Sequence, residues 1–255
     1  MGMLNEALPP KSTAAVSPDP ETSGRSGGGR GLTKENGFGE GVVDRAGVLA
    51  RYRRLREISR KHGNEVLDRV PKKTLLDWGK RLGLVRKKTF IGDGFEEMTL
   101  AFDLAVYAAR PGKTPPIERY RRTAGFPAGS DEAIMLDAMS RSRFSLFVVK
   151  RRHAAAGLVL EDLFQGREIW LMDEGFEKTA PEGMAIASRV TEPAAYHMTT
   201  GAAVPISPGA LEDVVLNFPF RDGNASLEEG TNVEFIEAVY RATVTWGLMK
   251  TMRFE

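Results

Sequence analysis

The sequence predicts an α+β protein: a helical N-terminal module, then a small antiparallel β-sheet or SH3-like barrel, then a C-terminal helix, behind a disordered N-terminal leader. Three observations predict it. Apolar residues recur at spacings of three and four over residues 43–139. Short β-prone runs separated by turns follow over residues 144–206. Helical spacing then returns towards the C-terminus. The segments implied are 1–40, 41–141, 142–207 and 208–255. With 255 residues, 42% of them hydrophobic and 27% charged, the chain can bury a sizeable core.

Residues 1–40 hold eight glycines and four prolines, as in Pro9-Pro10, Ser17-Pro18-Asp19-Pro20 and Gly27-Gly28-Gly29-Arg30-Gly31. Apolar periodicity is almost absent there, so they read as a flexible leader. From Val43 the pattern is helical. Val48, Leu49, Tyr52, Leu55, Ile58 and Ser59 share one stripe, and Arg51, Arg53, Arg54, Arg56, Arg60 and Lys61 crowd the rest. The spacing predicts that this basic helix ends near His62-Gly63. A second helix follows Pro71, uses Leu75, Leu76, Trp78 and Leu82, and stops at Gly83. Residues 89–94 suit a brief strand and turn. Phe95, Met98, Leu100, Ala101, Leu104, Ala105 and Tyr107 mark a third helix, closed by Arg110-Pro111-Gly112. A short helix follows Pro115-Pro116, and Ser130-Asp131-Glu132 caps another that runs to Met139.

Phe144-Ser145-Leu146-Phe147-Val148-Val149 opens the β segment. Further runs at 157–160, 168–173, 184–190, 196–200 and 203–206 leave no room for crossover helices, so they suit an antiparallel sheet or barrel better than a parallel sheet. A short helix at 208–216 and a longer one over 227–252 complete the chain. The longer one carries Val233, Phe235, Ile236, Val239, Tyr240, Val244, Trp246 and Leu248, a stripe read as core.

The net charge of +2 conceals an asymmetry. Residues 44–88 hold fifteen Lys and Arg against five Asp and Glu, a surplus of ten, and the remainder of the chain carries twenty-one against twenty-nine. Such a segment can face nucleic acid, an acidic partner, or the chain's own acidic half. Arg51, Arg53, Arg54, Arg56, Arg60, Lys61, Lys72, Lys73, Lys80, Arg81, Arg86, Lys87 and Lys88 are the candidate phosphate ligands. Residues 73–88 have the approximate length of a helix-turn-helix element.

Trp78-Gly79-Lys80-Arg81-Leu82-Gly83-Leu84, Gly129-Ser130-Asp131-Glu132, Ser142-Arg143-Phe144-Ser145-Leu146-Phe147, Leu160-Glu161-Asp162-Leu163-Phe164-Gln165-Gly166 and Met198-Thr199-Thr200-Gly201-Ala202 occur in that order. The succession resembles a group of uncharacterised bacterial proteins and covers about residues 45–206. The resemblance implies a bacterial cytosolic origin and an ordered middle of the chain. It brings no activity and no catalytic residues.

Chemistry-bearing motifs are few. Cysteine is absent, which excludes disulfides, thiol nucleophiles and cysteine-held metals, and only His62, His153 and His197 are available as imidazoles. Gly112-Lys113-Thr114 copies the end of a phosphate-binding loop, but Tyr107 stands where its first glycine belongs and Pro115-Pro116 follow it. The glycines at 27–31 neither follow a strand nor open a helix, so they are no dinucleotide fingerprint. His197, beside Thr199 and Thr200, reads as a structural sheet histidine, and His153 as a solvated loop residue. Glu161, Asp162, Asp173 and Glu174 lie near strand ends, where carboxylates can hold a divalent metal or simply serve turns. Glu96, Glu97 and Asp103 read as helix-surface residues.

Three functions are open on the sequence. The first is a non-enzymatic accessory or regulatory protein that binds nucleic acid through the basic helical module, without a cofactor. The second is a protein-interaction adaptor using the β segment or terminal helix. The third is a metal-assisted hydrolase using the four carboxylates. No apolar run approaches membrane-spanning length and the first thirty residues lack a secretory core, so a cytoplasmic, membrane-free setting is expected.

Overall fold

The computed structural model describes residues 44–87, 89–91, 95–109, 112–217 and 232–248. The expected leader and Lys88 lie outside them. Helix α1, Arg45–Arg69, starts at Asp44, whose carboxylate accepts the N–H groups of Ala46 and Gly47 at 3.0 Å each. It buries Tyr52, Leu55, Ile58, Ser59, His62 and Val66. The helix passes through the expected stop at His62-Gly63. The buried stripe continues to Val66, and one interior glycine costs about 1 kcal/mol, less than burying a valine contributes. It ends at Val70, because proline at 71 disfavours helical backbone in the residue before it.

Helix α2, Lys72–Arg81, stops ahead of Gly83 as the spacing predicts. A two-stranded hairpin follows, β1 Val85–Arg86 paired with β2 Thr89–Phe90. It presses on α2 at Gly79, where a Cβ would meet Val85 Cγ2 at 2.5 Å. Helices α3 Phe95–Tyr107, α4 Pro116–Thr123 and α5 Asp131–Ser140 stand where the spacing puts them. Ser130 Oγ caps α5 by accepting the Ala133 N–H at 3.2 Å.

Five antiparallel strands then form one sheet: β3 Arg143–Arg152, β4 Leu158–Asp162, β5 Arg167–Leu171, β6 Ala185–Thr191 and β7 Met198–Pro205. Their order is β5-β4-β3-β6-β7. A single parallel bridge links Leu171 to His197, so the two edges of the sheet approach each other at that point. Of the two expected forms, the strand pairing gives the sheet. The runs at 196–200 and 203–206 are one strand, not two. Ser188 pairs with Ala203 and Val190 with Thr199, so Thr200, Gly201 and Ala202 bulge opposite Arg189. Gly201 takes a φ of +125° that other residues avoid, and it breaks the alternation that would have joined the runs.

The sheet separates two cores. Phe144 and Leu146 face the larger one, shared with the helices, while Phe147 and Val149 join Leu158, Leu160, Ile169, Phe176 and Ile186 on the opposite side. Phe176 belongs to α6, Glu174–Thr179, a helix that no periodicity announces because it spans six residues. Helices α7 Pro208–Asn217 and α8 Val233–Thr245 pack together against the larger core. The flanks 227–231 and 249–252 of the expected terminal helix lie outside the described residues. Its stripe is core for Phe235, Ile236, Val239 and Tyr240, whereas Trp246 is half exposed and covers Gly209. Among the described residues no helix is long and apolar enough to cross a membrane.

Gly157 has φ +78°, and a Cβ there would stand 2.2 Å from the Leu171 carbonyl oxygen. Gly157→Ala is therefore expected to lose more than ~2 kcal/mol, through backbone strain and collision together. Gly166→Ala, at φ +60° with open space around it, is expected to lose about 1 kcal/mol. Urea denaturation midpoints check the difference, and equal losses would refute the close approach of β5 to the β3–β4 turn.

Candidate functional site

A cleft of about 710 Å³ opens between α1, α3, the start of α6 and the β7 bulge, within the usual range for ligand pockets. Arg56 organises one wall. Its guanidinium donates to the Thr199 carbonyl at 2.5 Å, to Thr199 Oγ1 at 2.9 Å, to Asp173 Oδ2 at 2.8 Å and to the Tyr52 hydroxyl at 3.1 Å. Thr199 Oγ1 in turn donates to Asp173 Oδ2 at 3.0 Å. Asp173 also caps α6, accepting the N–H groups of Gly175 and Phe176. This wall is rigid because each polar group in it already has a partner. Burial raises the Tyr52 pKa, against the neighbouring charge of Arg56.

Asp103 forms the floor. It is buried on α3, accepts Nε of the equally buried Arg189 on β6 at 3.0 Å, and accepts the Tyr240 hydroxyl of α8 at 3.0 Å. Thr200 Oγ1, carried inward by the bulge, stands 3.4 Å from Asp103 Oδ1, the oxygen that also accepts Arg189 Nε. The expectation that Asp103 and Glu97 lie on the helix surface is overturned: both are buried. Asp103's main partner sits 86 residues further along the chain, out of reach of local spacing. Tyr107, one turn beyond Asp103, has a buried hydroxyl that makes no well-formed hydrogen bond among the described residues, with the Thr200 side chain as a polar neighbour. Burial, and then the charge of Asp103, push its pKa well above the ordinary tyrosine value, against the opposing pull of Arg189 and the Thr200 side chain.

The structure divides the twelve predicted cations that lie among the described residues. Arg51 and Arg54 both pair with Asp131, and Arg53 pairs with Glu174. Arg56 is held as described, Arg81 pairs with Glu237, and Lys73 pairs with Asp77 at 2.7 Å. The arginine hydrogen bonds hold the carboxyls of Asp131 and Glu174 below their usual pKa. Arg60, Lys61, Lys72, Lys80, Arg86 and Lys87 are exposed and form no ion pair among the described residues. Arg53, Arg56 and Arg60 border the cleft, and the α2–hairpin cations do not.

The four carboxylates singled out for metal chemistry have separate engagements. Glu161 pairs with Lys150 at 2.9 Å, while buried Asp162 accepts Ser145 Oγ at 2.6 Å and pairs with Arg143. Asp173 and Glu174 hold Arg56 and Arg53. Among the described residues no three Asp, Glu or His side chains gather as a metal ion needs. His197 is largely buried, 3.7 Å from Glu192, and its main chain donates to Trp170 O and accepts from Met172 N. His153 is not a solvated loop residue: its ring stacks on Trp170 with centroids 3.9 Å apart. Lys113 and Thr114 border a second cavity of about 560 Å³, beside Trp78, Arg81 and Arg119. Sequence reasoning passed over Tyr107, Thr200 and Arg189; the glycine after Thr199-Thr200 was the signal for a bulge there.

Fold and site together define an α+β protein with a polar cleft between a long basic helix and a bulged antiparallel sheet. The chain belongs to a family of unknown function (DUF7986), whose model matches residues 47–217 and so takes in the whole lining of the cleft. No curated protein and no solved structure matches it.

Truncating Asp103 to alanine leaves Arg189 buried and unpaired, and is expected to lose about 3–5 kcal/mol in urea denaturation. A double change to Asp103→Leu and Arg189→Met is expected to recover much of that loss. The three histidines all have pKa values lowered from the ordinary 6.5, with burial the largest cause. The unfolded chain therefore binds more protons below pH 6.5, so their contribution to stability is full above that pH and lost as the pH falls. Denaturation midpoints are expected to drop from about pH 7.5 to about pH 5, and His62→Gln to flatten part of the drop. A midpoint independent of pH would contradict the buried neutral imidazoles.

Proposed function

We propose that the protein is a non-enzymatic accessory or regulatory protein that binds nucleic acid through its phosphates, using the surface of α2 and the β1–β2 hairpin. The observation that supports this reading is the set of cations left over once internal ion pairs are formed. Lys72, Lys80, Arg86 and Lys87 are exposed, and unpaired among the described residues, on one helix and the hairpin that follows it. Lys87 sits at the hairpin tip with φ +48°, a conformation that costs a non-glycine residue about 1 kcal/mol. A lysine kept at a turn that favours glycine or asparagine suits a tip that reaches for an anion. Arg51, Arg53, Arg54 and Arg56 of α1 are poorer phosphate ligands, because a phosphate must first displace the carboxylates that hold them. A bacterial, cytoplasmic setting belongs to the same reading.

A second reading, a protein-interaction adaptor, is favoured by Leu216 and Trp246, which are 76% and 51% exposed at the α7–α8 pair.

Fluorescence anisotropy with duplex DNA, single-stranded DNA and RNA tests the first reading. Binding is expected to weaken steeply between low and near-physiological salt. Changing Lys80, Arg86 and Lys87 together to glutamate is expected to lower the salt slope by about one for each phosphate no longer neutralised. Changing Arg51 and Arg54 to alanine is expected to leave the slope unchanged. Absence of binding at low salt would overturn the proposal and favour the adaptor.

A further inference from the structure

We propose that the cleft between α1 and the β7 bulge is a binding site for a small hydroxylated organic anion, a phosphate ester or a carboxylate. It is separate from the α2–hairpin surface and does not depend on it. Buried polar groups are almost always hydrogen-bonded, and leaving one unmade costs about 1–3 kcal/mol. The Tyr107 hydroxyl is such a group: it has the Thr200 side chain as a polar neighbour but no well-formed hydrogen bond among the described residues, and its residue borders the cleft. A ligand hydroxyl or ether oxygen reaching the floor supplies the missing partner, and Thr200, brought inward by the bulge, offers a second polar group.

Gly201 supports the same conclusion from the backbone side. A Cβ there would meet nothing within 4 Å, so glycine is required by its φ of +125° and not by crowding. The bulge costs ladder pairing in β7 and turns three residues towards a cleft, a feature that recurs beside binding sites. Leu67, Val106 and Met139 give the cleft an apolar side for a carbon skeleton.

The rim supplies the charge selection. Arg60 is exposed there and unpaired among the described residues, so it can meet an anion without breaking a bond. Glu57, exposed on the same rim, accepts hydrogen bonds and repels a second negative group, which selects ligands with hydroxyls beside a single anionic end. The Arg56–Asp173–Thr199 wall is already bonded, so it holds the shape without engaging the ligand.

Isothermal titration calorimetry of the full chain tests the site with two probes, ribose 5-phosphate and gluconate, which separate phosphate from carboxylate recognition. Saturable binding of at least one is expected, and both Tyr107→Phe and Arg60→Ala are expected to weaken it about fivefold, the worth of one hydrogen bond. Tyr107→Phe removes a buried hydroxyl with no well-formed hydrogen bond among the described residues, so the melting temperature of the free protein is expected to hold or rise. A fall in that melting temperature would make the hydroxyl structural and overturn the assignment. So would failure of both probes to bind at millimolar concentration, or binding that neither substitution alters.

Discussion

The rest of the structure depends on one buried ion pair, Asp103 with Arg189. Moving two charges out of water is expensive, and the interior tolerates them only when their remaining hydrogen-bonding capacity is met. Here Tyr240 and Thr200 complete the shell of Asp103, so four elements, α3, β6, β7 and α8, must arrive together. Apolar packing is non-directional and by itself fixes the height of α3 on the sheet less sharply. The ion pair is directional, because any slip strands a buried charge. It fixes the height of α3 over the bulge, and with it the position of Tyr107 above the cleft floor.

A second tier of charges joins the long first helix to the sheet half. Arg45, Arg53 and Arg56 pair with Glu177, Glu174 and Asp173 around α6, and Arg51 and Arg54 meet Asp131 at the start of α5. The charge asymmetry between residues 44–88 and the remainder is thus in part an internal complementarity. Exposed pairs of this kind contribute little each. Arg56 differs, being largely buried and making five hydrogen bonds to three residues. What the pairing leaves over is concentrated on α2 and the hairpin, where the local carboxylates are too few.

How much of this was legible in the sequence follows from the range of the signals. Elements with two or more turns or a clear alternation, such as α2, α3, α5 and β3, were legible because their spacing is local, and for α5 a capping serine also marks the start. Helix α6 and strand β1 were not, since six and two residues carry no period. The expected stop at Gly63 and the separation of the runs 196–200 and 203–206 around Gly201 have one cause: a glycine interrupts a pattern whether or not the backbone stops there. At the site, the basic stripe was visible but its partners were not. Asp131, Asp173 and Glu174 lie 77 to 121 residues from the arginines they hold. Asp103 was misjudged for the same reason, because a carboxylate on a helix looks solvated until its arginine is found.

The matched family segment, residues 47–217, ends before α8. Every lining residue of the cleft falls within it, yet the Tyr240 hydroxyl that completes Asp103 comes from outside. The two contributions are physically distinct. Residues on α1, α3 and β7 give the cleft its chemistry, whereas α8 covers the far side of the ion pair and keeps water from it. Water admitted there would screen the attraction between Asp103 and Arg189, since the interaction scales inversely with the local dielectric constant. The floor would then lose its reason to stay in register with the bulge. A cleft built in this way is shaped by residues that never touch its contents, and its geometry is only as exact as the packing behind it.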